Sequence, residues 1–277
     1  ISTGAGVVIA QFFGAGNTCK MKRAIHNSIA LTLVMGVVLT IVGLLFNDPI
    51  LKAIGVPSEV FSEASTYLSI YFWSLIFVMV YNMGSGILRS VGDSKRPLYF
   101  LIFSSVVNII LDFLFVKYFY FGVAGAGYAT LIAQAISAIM VMYVLMKTED
   151  DYKVILKEIG FDKEILLKII KIGLPTGFQQ SIVSLSNVIV QSYINVYGAS
   201  VIAGYSVTIK IDGFVNLPLQ AFNMAITTFV GQNIGAKQYD RVKKGAYITT
   251  ALATLTIACF VVIMYFFGRD FIALFNH

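Results

Sequence analysis

Charge is what this chain has least of. Only 12% of its 277 residues are Asp, Glu, Lys or Arg, against about 25% in a soluble domain. Hydrophobic residues make up 58%, and the mean hydropathy is +0.83. A soluble globular class is excluded. Cysteine and histidine are scarcer still, at two each. Cys19 and Cys259 lie far apart with no Cys-x-x-Cys and read as small apolar residues, so neither a disulfide framework nor a cysteine metal site is expected. His26 reads as a solvated or interfacial residue. There is no His-Glu-x-x-His, no nucleophile–base pair and no two close acids within a span, which argues against an intramembrane enzyme. No catalytic residue, metal site or bound cofactor is expected.

Long charge-free runs fill the space that charge leaves. Ala24–Phe46, Ala64–Leu88, Tyr118–Met146, Gly213–Ala236 and Gly245–Gly268 each exceed the roughly 20 residues a spanning helix needs. Ile172–Ile209 would measure roughly 57 Å as one helix, so it must fold back, at Tyr197–Ser200. The expected helices are a partial one over 1–14, then 24–46, 60–88, 98–118, 122–146, 166–196, 199–234 and 243–267. The chain opens at Ile1 inside an apolar helical pattern, with no initiator Met and no charged n-region, and reads as a fragment.

The basic residues fall on alternate connectors. Lys20, Lys22 and Arg23 lie on the first, Arg89, Lys95 and Arg96 on the third, six from Lys147 to Lys171 on the fifth, and Lys237, Arg241, Lys243 and Lys244 on the seventh. Lys52, Lys117 and Arg269 fall on the others, and Lys210 within a span. By the positive-inside rule the odd connectors face the cytoplasm. The +6 net charge is then topology, and no nucleic-acid partner is expected. The fifth connector, with Val154, Ile155, Ile159 and Phe161 among its charges, reads either as an amphipathic segment on the cytoplasmic surface or as a solvated linker.

A shift of 221 residues pairs Gln11 with Gln232, Gly14 with Gly235, Ala15 with Ala236 and Lys22 with Lys243. Each copy runs through a helix end, a Gly-Ala turn, a basic cluster and a new helix. The "GAGNTCK" of the first copy lacks the spacing and ending of a phosphate loop. Six spans separate the copies, which makes this a parallel repeat about an axis along the membrane normal, in an intact chain of roughly 440 residues. The expected division is an N-terminal bundle over 1–146, a linker over 147–165 and a second bundle over 166–277, with a binding site between the halves.

Polar residues recur at helical spacing inside the spans: Ser104, Asn108 and Asp112; Thr130, Gln134 and Ser137; Gln180, Ser184, Asn187, Gln191 and Asn195; Thr208, Asp212, Asn216, Gln220, Asn223 and Thr227. Facing lipid these stripes would be costly, so they serve either interhelical hydrogen bonds or a hydrated cavity; the longer stripes favour the cavity. Lys210 and Asp212 project apart and should not pair directly. Asp112, with Asn108 able to hydrogen-bond it, suits an acid that alternates between proton- or Na⁺-loaded and empty states; a structural tie to a lysine is the alternative. Pro218 should kink its helix.

"ILRSVGDSKRPLYFLIFSSVVNIILDFLF" (Ile87–Phe115), "GVAGAGYAT", "GLPTGFQQ" and "VGQNIGA" together resemble the multidrug and toxic compound extrusion (MATE) family, along essentially the whole chain. The resemblance implies an all-α polytopic membrane protein of two pseudo-symmetric six-helix bundles, here running from helix 2 to helix 9 and truncated at both ends. It implies a multi-pass, monomeric antiporter of the plasma (inner) membrane, solvated by lipid, that exports small organic cations in exchange for H⁺ or Na⁺. Asn108 and Asp112 match the Asn-x-x-x-Asp pair held to serve cation coupling in a bacterial and archaeal, DinF-like branch. That branch also uses an acid in helix 1, which this sequence does not contain, and "QQSIVSLSN" offers no acid where another branch places a Glu. Gln134, Gln180, Asn187, Gln191, Lys210, Asp212 and Asn216 are the candidate cavity-lining residues. The rival readings are a lipid-linked oligosaccharide flippase of the same superfamily, with a more strongly basic cavity, and a truncated inactive chain.

Overall fold

The computed structural model describes residues 2–274, and no strand occurs among them. The elements are α1 (Ser2–Gly14), α2 (Thr18–Leu45), a short α3 (Asn47–Ile54), α4 (Ser58–Ser90), α5 (Lys95–Phe113), α6 (Gly122–Lys147), α7 (Lys163–Ile194), α8 (Ala199–Gly235) and α9 (Tyr239–Leu274). Local chemistry sets several of the starts. The Asn17 side chain accepts from the Lys20 amide at 3.0 Å to open α2. Asp93 Oδ1 accepts from the amides of Lys95 and Arg96 ahead of α5, and Asp162 Oδ1 from those of Glu164 and Ile165 ahead of α7. Each supplies an acceptor to amides that a helix leaves without partners.

Several boundaries differ from expectation, among them the start of α2 at Thr18 instead of residue 24. The connector carrying Lys52 forms α3, which ends on Gly55 in the left-handed region (φ 78°), where glycine alone is unstrained. The helix expected over 98–118 is regular only to Phe113 and closes in a π-helical turn, Leu114–Tyr118. The fold-back after α7 falls where it was expected, running through a 3₁₀ turn, Asn195–Tyr197, to Gly198 at φ 91°.

The written repeat is also a repeat of backbone geometry. Leaving α1, the amides of Ala15, Gly16 and Asn17 donate to the carbonyls of Gln11, Phe13 and Phe12; leaving α8, those of Ala236, Lys237 and Gln238 donate to Gln232, Ile234 and Asn233. Every donor and acceptor pairs at the 221-residue shift. Gly16 and Lys237 both take positive φ, 65° and 57°. This is the left-handed helix ending that satisfies terminal carbonyls, and lysine tolerates it in the second copy.

Thr18–Leu45, Ser58–Ser90, Lys95–Tyr118, Gly122–Lys147 and Tyr239–Gly268 are long and apolar enough to cross a membrane. Helices α7 and α8 are long enough, at 32 and 37 residues, but the polar stripes dilute their apolar character. The chain divides into two compact units, Ile1–Gly173 and Leu174–His277. In the first, α4 packs chiefly against α6 and α2 around a core that includes Ile9, Met21, Ile25, Ile87, Leu88 and Val141. Small residues let backbones approach, since helices in lipid gain little from a hydrophobic effect. Gly84 faces Val141 and Leu145 of α6, and Gly4 faces the backbone of Ile169 and Gly173 at the start of α7. In the second unit α8 packs on α9, with Gly245 against the Phe229 ring.

The connector between α6 and α7 carries one short 3₁₀ turn, Leu156–Glu158, and is bonded to the helices of the first unit. The Val154 amide donates to the Leu145 carbonyl at 2.8 Å, and its side chain is buried. Ile155 and Phe161 stay exposed. Asn27 Nδ2 donates to the Asp162 carbonyl at 2.7 Å, and Lys22 pairs with Asp151 at 3.3 Å. His26, expected as a solvated or interfacial residue, is 3% exposed, because this segment folds over it.

A Cβ built at Gly4 would lie 2.6 Å from the Gly173 nitrogen and the Ile169 oxygen, and neither backbone can yield alone. Gly4→Ala is therefore expected to destabilise the detergent-solubilised chain by about 1–3 kcal/mol, read as a lower thermal midpoint. An unchanged midpoint would show that α1 and α7 are not in contact there.

Candidate functional site

Inside lipid, a hydroxyl or amide can be satisfied by its own helix, because each carries a proton to donate to a carbonyl one turn back. The polar stripes use this route widely. Thr130, Thr208 and Thr227 of the stripes donate to carbonyls four residues earlier, and Ser181, Ser186, Ser192 and Ser206, elsewhere on α7 and α8, do the same. Ser104 and Ser137 donate three residues back. These hydroxyls carry little information about a site. A carboxylate has no such route, since it can only accept and so can the carbonyl.

Two carboxylates lie in the polar stripes, and their surroundings differ. Asp212 on α8 is exposed. It receives Asn216 Nδ2 on its Oδ2 at 3.0 Å, and the same amide reaches the Asp212 carbonyl at 2.9 Å. Asp112 is half-buried, and its Oδ1 is enclosed without a hydrogen-bond partner. It sits one residue before the end of α5, where the π-helical turn begins. Asn27 Oδ1, Asn47 Oδ1, Ser85 Oγ and Asn108 Nδ2 are likewise enclosed without partners. All four are neutral, so Asp112 Oδ1 is the costliest of the set to leave open.

Asn108 does not fill it. The two residues share a face of α5, one turn apart, but Asn108 Nδ2 has no partner of its own, so the expected amide–carboxylate bond is not made. Each leaves one open position on the same face of α5. Nor does Lys117 tie Asp112 down: its Nζ lies 4.7 Å over the Phe113 ring, within a cluster where Phe119 stacks on Phe121 at 5.7 Å. Among the described residues Asp112 forms no ion pair.

The other candidates divide between the units. Gln134, half-buried on α6, belongs to the first unit with Asn108 and Asp112. Gln180 and Asn187 on α7 are exposed, Gln191 is half-buried, Lys210 and Asp212 on α8 are exposed, and Asn216 is half-buried; all belong to the second. The side chain of Asn195 lies outside the described residues. Asp212 and Asn216 are joined directly. α8 continues through Pro218 from Ala199 to Gly235. His26 and its contacts across 129 residues to Ile155 carried no signal in sequence beyond their charged neighbours.

The family whose model matches is MatE, over residues 1–114 and 175–277. A probable multidrug resistance protein of Bacillus subtilis strain 168, YoeA, is 31% identical over 282 residues, covering 99% of this chain and 61% of that protein. The outward-facing conformation of a multidrug resistance MATE family transporter of the MOP superfamily superposes with TM-score 0.92 at 25% identity, covering 99% of this chain and 61% of the other. A MOP superfamily transporter from Pyrococcus furiosus, whose binding pocket of reversed polarity suggests a different function, gives 0.93 at 25% identity, covering 100% and 62%. This chain thus spans about three-fifths of the length of the proteins it matches.

Asp112 adds cost to the fold without a bond to offset it. Asp112→Asn keeps the shape and removes the charge, so it is expected to leave the thermal midpoint unchanged or to raise stability by on the order of 1 kcal/mol. A marked loss of stability in calorimetry of the detergent-solubilised variant would show that the carboxylate is structural.

Proposed function

The chain belongs to the MatE family of multi-pass helical membrane transporters, and on that premise we propose that it exports cationic amphipathic compounds in exchange for H⁺ or Na⁺. The observation that carries the reading is Asp112 Oδ1, enclosed in a helix long and apolar enough to span and left without a partner. A proton or a sodium ion is the simplest ligand for such an oxygen. Asn108 stands one turn away. Rotation of its amide about the last side-chain bond exchanges nitrogen for oxygen, turning its open donor position into a second acceptor.

The mechanism follows from differential affinity. Alternating access couples two solutes only if cation and drug prefer different conformations or compete for one site. Asp112, with Asn108, takes the cation from outside, and its loading favours the state that releases drug outward. Gln134, Gln180, Asn187, Gln191, Lys210, Asp212 and Asn216 supply polar contacts along the drug's route. The basic connectors lie on the cytoplasmic side of the plasma membrane, and the working unit is a monomer. The second reading is a flippase for a lipid-linked oligosaccharide; Lys210, a basic residue within α8, is the observation that favours it.

Cells producing the protein are loaded with a fluorescent organic cation, and efflux is followed under imposed Na⁺ and pH gradients. Efflux is expected to follow one gradient, and Asp112→Asn to lower the gradient-dependent part by on the order of tenfold. Equal efflux by wild type and variant would remove Asp112 from the coupling role. No dye efflux, with translocation of a lipid-linked sugar in vesicles, would favour the flippase.

A further inference from the structure

The bonding at one imidazole determines its protonation state. His26 Nδ1 lies 2.7 Å from the Lys22 carbonyl oxygen, a group that only accepts, so Nδ1 carries a proton. Nε2 receives the backbone N–H of Ile155 at 2.9 Å, a group that only donates, so Nε2 carries a lone pair. The ring is held as the neutral Nδ1–H tautomer. Glu158 Oε2 stands 3.9 Å from the same Nε2, with no proton between them.

We propose that His26 is a proton-operated latch: neutral, it fastens the α6–α7 connector to α2 through Ile155; protonated, it exchanges that backbone bond for an ion pair with Glu158. A proton added from water at Nε2 turns the acceptor into a donor, opposite another donor. The Ile155 amide must then withdraw, and the nearby carboxylate takes the new N–H. The other charges at this place are largely committed. On α2, Lys22 pairs with Asp151 at 3.3 Å and Arg23 with Asp162 at 3.8 Å. At the start of α7, Glu164 is held by Lys168 at 2.6 Å. At the end of α6, Lys147 Nζ donates to the Tyr143 hydroxyl, and beyond α4 Arg96 pairs with Asp93. Helix α1 brings no ionisable side chain. Glu158, 54% exposed, stands nearest Nε2 and makes no other ion pair among the described residues. A groove of about 460 Å³, lined by Cys19, Lys22, Arg23, His26, Glu158 and Asp162 among others, borders the ring.

The release is local. Asn27 still holds the Asp162 carbonyl, and the Val154 amide still holds Leu145, so the connector loosens between two anchors. The latch does not depend on what the protein transports.

The test uses the whole chain in lipid nanodiscs, with ¹⁵N-histidine NMR and amide exchange at Ile155, corrected for intrinsic pH dependence, between about pH 8 and pH 5, where histidines titrate. Near the upper limit His26 should show the Nδ1–H tautomer, and as it protonates, Ile155 exchange should accelerate by on the order of tenfold. Glu158→Gln, at an exposed site, should leave the neutral bond intact and move the transition to lower pH. His26→Leu should exchange rapidly throughout, with no transition. The proposal is overturned by the Nε2–H tautomer, by a ring that does not titrate, by unchanged Ile155 protection as it does, or by a wild-type response that survives in His26→Leu.

Discussion

In a solvent that forms no hydrogen bonds, every polar group must find its partner within the protein. That constraint organises what is seen here. It makes the chain helical, because a helix satisfies its backbone internally. It sends most serine and threonine hydroxyls in the polar stripes back to their own helices. It draws helices together at small residues such as Gly84, where backbones can approach closely enough to pack. It also makes the exceptions visible, and the acidic one is Asp112 on α5, whose enclosed Oδ1 nothing in the described chain fills. Strain of this kind persists where the surrounding structure holds it, and it gathers at functional sites.

The repeat shows the same constraint at a helix end. Terminal carbonyls have no partner further along the helix, and both copies solve the problem with one arrangement of three amide donors. One copy places Gly16 at the left-handed position and the other Lys237. The arrangement therefore survives a residue change that local propensity disfavours.

Much of this was legible in sequence, because apolar runs, helical spacing and charge asymmetry each reflect a single local cause. The helix positions, the break at Gly198 and the stripe carrying Asn108 and Asp112 follow from those causes. What could not be read depends on contacts distant in sequence or on side-chain rotamers. The alternation of the fifth connector suggested a surface segment, but not that Val154 would be buried or that His26 would accept from Ile155, 129 residues away. Spacing placed Asn108 and Asp112 on one face, yet could not say that no hydrogen bond would join them. The π-helical turn after Phe113 leaves no pattern in an apolar run, and Lys117 gave no sign that it would lie over an aromatic ring.

The central claim is that Asp112 is left open to hold a coupling cation. Infrared difference spectroscopy of the protein in lipid tests it directly, by following the carbonyl stretch of protonated carboxyl groups as pH and Na⁺ are changed. The account predicts a band from an enclosed carboxylic acid at low pH that disappears on raising the pH or adding Na⁺ and is missing from Asp112→Asn. A spectrum identical in wild type and variant, with no response to either cation, would contradict it.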